Sequence, residues 1–113
     1  MDIELARYLL PEGLLEYFDI VADKSTANKI HFYLEEKNIL PQEYKTLKAQ
    51  SKGFISEITI EDFPLRGKQV LLHIKRRRWT LVDSGQIIKR DWDIVAKGTR
   101  ITNEFASFLK EIS

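Results

Sequence analysis

A run of basic residues followed by an aromatic one is the feature of this sequence most suggestive of a binding site. Residues 75–79 read Lys-Arg-Arg-Arg-Trp, and a second basic pair precedes another tryptophan at residues 89–92. Basic side chains neutralise phosphates and release counterions, and aromatic rings beside them can stack on bases. The sequence therefore predicts a DNA-binding site formed by these two clusters: Lys75, Arg76, Arg77, Arg78, Trp79, Lys89, Arg90 and Trp92.

The charges are unevenly distributed, although the formal net charge of the chain is only +1. Residues 66–100 hold ten basic and three acidic side chains, a net charge of +7, whereas residues 1–65 have a net charge of −5. Local potential, rather than net charge, governs attraction to a polyanion. We therefore expect a basic surface on an acidic body. Three further basic residues should supplement it: Arg66, Lys97 and Arg100, the last two just before a predicted helix N-terminus that also attracts phosphate.

Two other interpretations of the basic clusters remain open. They could belong to a solvated edge strand whose charges prevent aggregation, with Trp79 and Trp92 in the core. They could also bind a protein or another anionic partner. Four consecutive basic residues followed by tryptophan exceed what edge protection requires, so nucleic acid is the favoured partner.

No arrangement typical of catalysis or metal binding is evident in the sequence. The absence of cysteine excludes a disulfide framework and a thiolate zinc site. His31 and His73 lie in predicted strands without further metal ligands at suitable spacing. Asp91 and Asp93 lie among basic residues, so salt bridges explain them better than a paired catalytic carboxylate. We expect a non-catalytic chain without metal, cofactor or small-molecule substrate.

Hydrophobic patterning predicts one α+β domain over residues 1–113. A helix is predicted before Pro11, and residues 41–50 are polar and helix-permissive. Strands are predicted over residues 16–23, 29–36, 54–63, 68–80 and 86–95. A C-terminal helix over residues 102–112 has an apolar stripe consisting of Ile101, Phe105, Phe108, Leu109 and Ile112. We expect this helix to pack across a mostly antiparallel sheet of about five strands.

The last two predicted strands should form a basic hairpin over residues 68–95, with a turn at Asp83-Ser84-Gly85. Successive side chains of a strand point to opposite faces, so the hairpin would be basic on both faces where it projects from the sheet. A two-stranded ribbon of this kind fits the DNA major groove.

The N-terminal segment MDIELARYLL lacks the basic region and cleavage site of a signal peptide. No apolar run approaches the roughly 20 residues that a membrane span requires. These features predict a bacterial-type cytoplasmic protein that does not associate with membranes.

Three segments together resemble the N-terminal region of insertion-sequence (DDE-type) transposases, especially a Bacteroides-type branch. The first is residues 8–18, which read YLLPEGLLEYF. The second is the strand that ends in Glu61-Asp62-Phe63-Pro64, together with residues 70–79, and the third is residues 98–105. The resemblance covers essentially the whole chain. It implies recognition of the terminal DNA of the element, or support of the transposase that recognises it.

The wider group has a zinc-ribbon-like knuckle after the basic-aromatic strand, and its cysteines bind metal. Here no cysteine follows Arg78-Trp79, and Asp83-Ser84-Gly85 stands where the knuckle would be. The family's catalytic carboxylates have no counterpart in these residues. An alternative function is therefore an assembly module for a separately encoded catalytic transposase chain, in which Phe105, Phe108 and Leu109 would leave apolar surface exposed.

Overall fold

The computed structural model describes residues 3–93, 95 and 103–112. Most of its regular structure consists of strands in which apolar residues alternate with polar ones. The strands are β1 (Phe18–Ser25), β2 (Lys29–Glu36), β3 (Ala49–Phe54), β4 (Ile58–Leu65), β5 (Lys68–Lys75), β6 (Arg77–Leu81) and β7 (Ile87–Lys89). The helices are α1 (Ile3–Leu9), α2 (Leu14–Tyr17) and α3 (Asn103–Ile112), and a 3-10 turn covers Gln42–Tyr44. The predicted α+β class is confirmed.

The strands form two sheets, whereas the sequence predicted a single one. The larger sheet has the order β1-β2-β5-β4, and the smaller has the order β3-β6-β7. Neighbouring strands are antiparallel except β2 and β5, which run parallel with Ile30 opposite Val70 and Leu34 opposite Ile74. A parallel pair needs a long crossover connection. Here the connection from β2 to β5 contains β3 and β4. The larger sheet is mixed, because it combines this parallel pair with two antiparallel pairs.

The larger core lies on one face of the four-stranded sheet. Phe32 on β2 and Leu72 on β5 are fully buried there, because alternate residues of each strand face inward. Helix α3 covers this face, and its apolar residues Phe105, Phe108, Leu109 and Ile112 are all buried. The predicted stripe of the C-terminal helix is thus confirmed. Ile101 and Thr102 lie outside the described residues.

A second, smaller core lies on the three-stranded sheet. It consists of three buried residues, Trp79, Leu81 and Ile88, with Leu40, Tyr44 and Ala49 packed around them. The 3-10 turn brings Tyr44 to this cluster. Each of the two sheets therefore packs on its own hydrophobic core.

The strand predicted over residues 68–80 is divided at Arg76. β5 ends at Lys75, β6 begins at Arg77, and the two belong to different sheets. Burial shows why: the buried positions are even-numbered along β5 and odd-numbered along β6. Side chains alternate along a regular strand, so one uninterrupted strand cannot bury both sets on one face.

The returning strand predicted over residues 86–95 is also shorter in the structure. β7 ends at Lys89, and Trp92 and Asp93 are helical. The hairpin predicted over residues 68–95 is therefore reduced to the β6–β7 pair, in which Trp79 lies opposite Ile88. This pair does not project as a two-stranded ribbon, because β3 pairs with the other edge of β6.

Within the described ranges, none of the helices has the length and apolar character that crossing a lipid bilayer requires.

Candidate nucleic-acid interface

Two of the predicted DNA-binding arginines make contacts inside the protein, where the two sheets meet. Glu36, the last residue of β2, is only 1% exposed, and its Oε2 accepts a hydrogen bond from Arg90 Nε at 2.9 Å. The backbone N–H of Arg77 donates to Glu36 Oε1, and Arg77 Nε donates to the Glu36 carbonyl, both at 3.0 Å. Arg90 Nη2 also donates to the Ile39 carbonyl. These bonds attach β6 and the segment after β7 to the end of β2.

The electrostatics of Glu36 explain why both arginines are needed there. Burial raises the pKa of the Glu36 carboxyl, and the hydrogen bonds and charges of Arg77 and Arg90 offset part of that rise. A buried carboxylate is costly unless it is paired and hydrogen-bonded. The Arg90 guanidinium is thus paired with this carboxylate, and the Arg77 guanidinium donates to the Glu36 carbonyl and to Ser51 Oγ. These internal contacts reduce what the two side chains can offer to an external phosphate.

Arg76 and both tryptophans also have internal contacts. Arg76 Nη1 donates to the Ile112 carbonyl at 3.1 Å, at the end of α3. Trp79 is 1% exposed, and its indole N–H donates to Asn38 Oδ1 at 2.8 Å. Trp92 is 5% exposed and stacks on Phe18 with ring centroids 5.4 Å apart. Both tryptophans are core residues, so neither presents a ring face to a base.

A cleft of about 430 Å³ lies between the sheets and contains much of the predicted site. Its lining includes four basic side chains, from Arg76, Arg77, Lys89 and Arg90, and four acidic ones, from Glu36, Glu43, Asp91 and Asp93. Asp91 Oδ1 accepts a hydrogen bond from the backbone N–H of Asp93 at 2.9 Å, which stabilises the turn into the helical residues. Because the charges balance, the cleft lacks the positive excess that attracts a polyanion.

A positive excess is found instead on the outer side of the three-stranded sheet. Side chains there point away from the small core, because they alternate with Trp79 and Ile88 along their strands. Arg78 on β6 lies directly opposite Lys89 on β7. Lys52 on β3 lies at a bulge, where residues 52 and 53 together oppose Arg78. We call Lys52, Arg78 and Lys89 the basic face.

Among the described residues, no carboxylate forms an ion pair with any of the three cations of the basic face, although Lys89 also lines the cleft with Glu43 and Asp91. Lys52 and Lys89 are exposed, and Arg78 is half-buried. Within the part of the chain that the structure describes, none of the three side chains forms an ion pair or a hydrogen bond, and Arg78 Nε is buried without an acceptor. Like charges directly opposite on paired strands are destabilising. An anion bound over this face would relieve that repulsion.

The remaining predicted site residues are dispersed. Lys75 ends β5 opposite Glu35 in the larger sheet, and Arg66 lies exposed in the turn between β4 and β5. Lys97 and Arg100 lie outside the described residues. Sequence reasoning missed Lys52, because only the pairing of β3 with β6 brings it beside Arg78.

No protein-family model, curated protein or solved structure matches this chain. The resemblance to the N-terminal region of transposases therefore stays a prediction.

Proposed function

We propose that this chain is a non-catalytic module that binds the phosphate backbone of duplex DNA through the basic face. The observation that carries the proposal is the direct opposition of Arg78 and Lys89, with Lys52 beside them and without a carboxylate paired to any of the three among the described residues. A row of cations without internal partners attracts a polyanion and releases its counterions on binding.

The composition of the basic face favours phosphate contacts over base contacts. Gln50 and Thr80 form the neighbouring cross-strand pair on this side of the sheet, and their side chains are of the kind that donates to phosphate oxygens. No aromatic side chain of the described strands β3, β6 and β7 points to this side, because Phe54 and Trp79 alternate away from it. The face therefore lacks the stacking platform typical of single-strand binders.

We further propose that the natural target is the terminal DNA of a mobile element, as the resemblance to transposase N-terminal regions implies. A separately encoded catalytic chain would then supply the chemistry. The alternative, an assembly module, required exposed apolar residues on α3, but Phe105, Phe108 and Leu109 are buried. This observation favours DNA binding.

Two triple variants with equal charge change test the basic face. Lys52→Gln/Arg78→Gln/Lys89→Gln removes its three cations, whereas the control Lys29→Gln/Lys68→Gln/Lys110→Gln removes three exposed lysines elsewhere. Binding to a labelled duplex is measured by fluorescence anisotropy at several salt concentrations. For three neutralised phosphates, the logarithm of wild-type affinity should fall with the logarithm of salt concentration with a slope of about −2.7.

We expect the basic-face variant to lose about tenfold or more in affinity and most of its salt dependence, because the contacted phosphates keep their counterions. The control should bind within about twofold of the wild type, since the replaced lysines do not contact the duplex. Equal losses in the two variants would show that only net charge matters and would contradict the proposal. Circular dichroism verifies that both variants are folded.

A further inference from the structure

The two histidines of the chain lie together on the outer face of the four-stranded sheet, opposite the larger core. His31 on β2 and His73 on the neighbouring β5 approach until Nδ1 of His31 is 2.8 Å from Nε2 of His73. Their rings are nearly parallel, with centroids 5.1 Å apart. The sequence does not reveal this pair, because 42 positions separate the two residues and only the parallel pairing of β2 with β5 joins them.

The other nitrogen of His73 is held by oxygen atoms of neighbouring residues. Nδ1 of His73 lies 3.1 Å from Thr59 Oγ1 and 3.5 Å from Glu57 Oε1. A carboxylate can only accept a hydrogen bond, so Nδ1 of His73 carries the proton and Nε2 presents its lone pair towards His31. Tyr33 stacks on the His73 ring at 4.4 Å and fixes its plane.

This arrangement is that of a metal-ligating histidine. A ligating imidazole almost always donates its second N–H to a carboxylate or another oxygen, which fixes the tautomer and the ring orientation. A neutral imidazole is the form that binds metals. Both histidines are partly exposed, the His73 side chain by 13%, so an ion can reach the pair from solvent.

We propose that Nδ1 of His31 and Nε2 of His73 chelate one divalent transition-metal ion, represented by Zn²⁺, with water completing the coordination. Zinc–nitrogen bonds of about 2.0–2.1 Å in tetrahedral geometry place two nitrogens about 3.4 Å apart. The ion would replace the hydrogen bond between the two rings, so the pair must open to admit it, and His31 would then carry its proton on Nε2. Within the described ranges, no three potential protein ligands converge on one point. The two histidines are therefore the protein ligands of the proposed site.

The chain offers a direct test, because it contains no cysteine and only these two histidines. ZnCl₂ is titrated calorimetrically into the full chain near neutral pH. We expect one ion per chain, and loss of binding in His31→Gln and in His73→Gln. Glu57→Gln should weaken binding about tenfold, because the carboxylate no longer orients the His73 ring. The matched control Glu12→Gln replaces an exposed carboxyl distant in sequence from both histidines and from Glu57, and it should bind Zn²⁺ as the wild type does.

Absence of binding by the wild type would overturn the proposal, as would unchanged binding in both histidine variants. The imidazole NMR signals of the wild-type chain provide a second measurement that needs no variant. Both sets of signals should shift together and saturate at one equivalent of Zn²⁺. If only one set shifts, the ion is not shared by the pair and the proposal is wrong.

Discussion

Glu36 is one of the residues that join the two sheets. It is buried, it accepts hydrogen bonds from Arg77 and Arg90, and its own carbonyl accepts a further one. A pair of this kind contributes little net stability, but breaking it is costly because one charge is left buried alone. The junction should therefore be sensitive to single substitutions and tolerant of a double one.

Arg90→Met tests this, because methionine keeps much of the side-chain volume without the charge. We expect the free energy of unfolding to fall by about 3 kcal/mol, since Glu36 then lacks its ion-pair partner. The double variant Glu36→Gln/Arg90→Met should lose less than the sum of the two single variants. Urea unfolding of the four proteins measures the difference, and strict additivity would show that the two side chains are not coupled.

The pH dependence of Arg90→Met follows from the pKa of Glu36. Burial raises this pKa already in the wild type, and loss of the Arg90 charge raises it further. A carboxyl with a folded pKa above its unfolded value is most stabilising below the unfolded pKa, and this stability is lost as pH rises through the folded pKa. The deficit of Arg90→Met relative to wild type should therefore grow from acidic to neutral pH. The double variant has no carboxyl at residue 36, so its stability should not show this pH dependence.

The buried tryptophans give a spectroscopic prediction. Trp79 and Trp92 lie in the two cores and not on the basic face. Saturating duplex DNA should therefore leave the intrinsic tryptophan emission unchanged in intensity and wavelength, because no base can stack on either ring. Acrylamide quenching with and without DNA serves as a control for accessibility. Quenching that follows the binding curve would place a tryptophan at the interface and contradict this assignment.

At the scale of elements, the entry into α2 packs directly against α3. Gly13 has φ +93°, and a Cβ added there would lie 3.1 Å from the ring of Phe105. Gly13→Ala should therefore cost about 1 kcal/mol for the left-handed backbone and about 1–3 kcal/mol more for overpacking. Gly85→Ala is the matched control, because it has φ +73° and open space around the added methyl. Equal losses in thermal unfolding would show that contact with Phe105 does not matter.

Local patterning predicted several elements but not their division between sheets. The boundaries of β1, β2 and α3 fall within two residues of those predicted. β3 is not predicted, because the sequence AQSKGF has no apolar alternation: its first two residues fall in the helix-permissive segment at residues 41–50, and Phe54 falls at the start of a predicted strand. The interruption at Arg76 is marked in the sequence by apolar residues that change from even to odd positions. That signal shows where a strand ends, but not which partner each half pairs with.

The charge pattern located the candidate site only approximately. Arg78 and Lys89 do lie on one basic face, as cross-strand partners. The side chains of Arg77 and Arg90 do not, because their partner Glu36 is buried by tertiary packing that has no local signature. Consecutive basic residues on a strand also point to alternate sides. A run of four basic residues therefore cannot form one continuous surface.

The whole molecule is elongated, with principal extents of 50 × 27 × 22 Å, and its two cores differ greatly in size. Local stability depends on buried apolar contacts. We expect amide hydrogen exchange to be faster in β3, β6 and β7 than in β2 and β5. Ile88→Ala should lower protection of the three-stranded sheet by about 2 kcal/mol or more, because it empties part of the small core. Equal loss of protection in both sheets would show that the molecule opens only as a whole.

The parallel pairing of β2 with β5 has a consequence for folding. Lys29 pairs with Gln69, 40 positions later, whereas β1 and β2 are joined by three residues. Closing the longer loop costs more chain entropy, so the β1–β2 hairpin should form first and the central pairing later. During synthesis, one edge of β2 has no partner until β5 leaves the ribosome. In that interval the nascent chain exposes an unpaired strand edge, which we expect to favour aggregation.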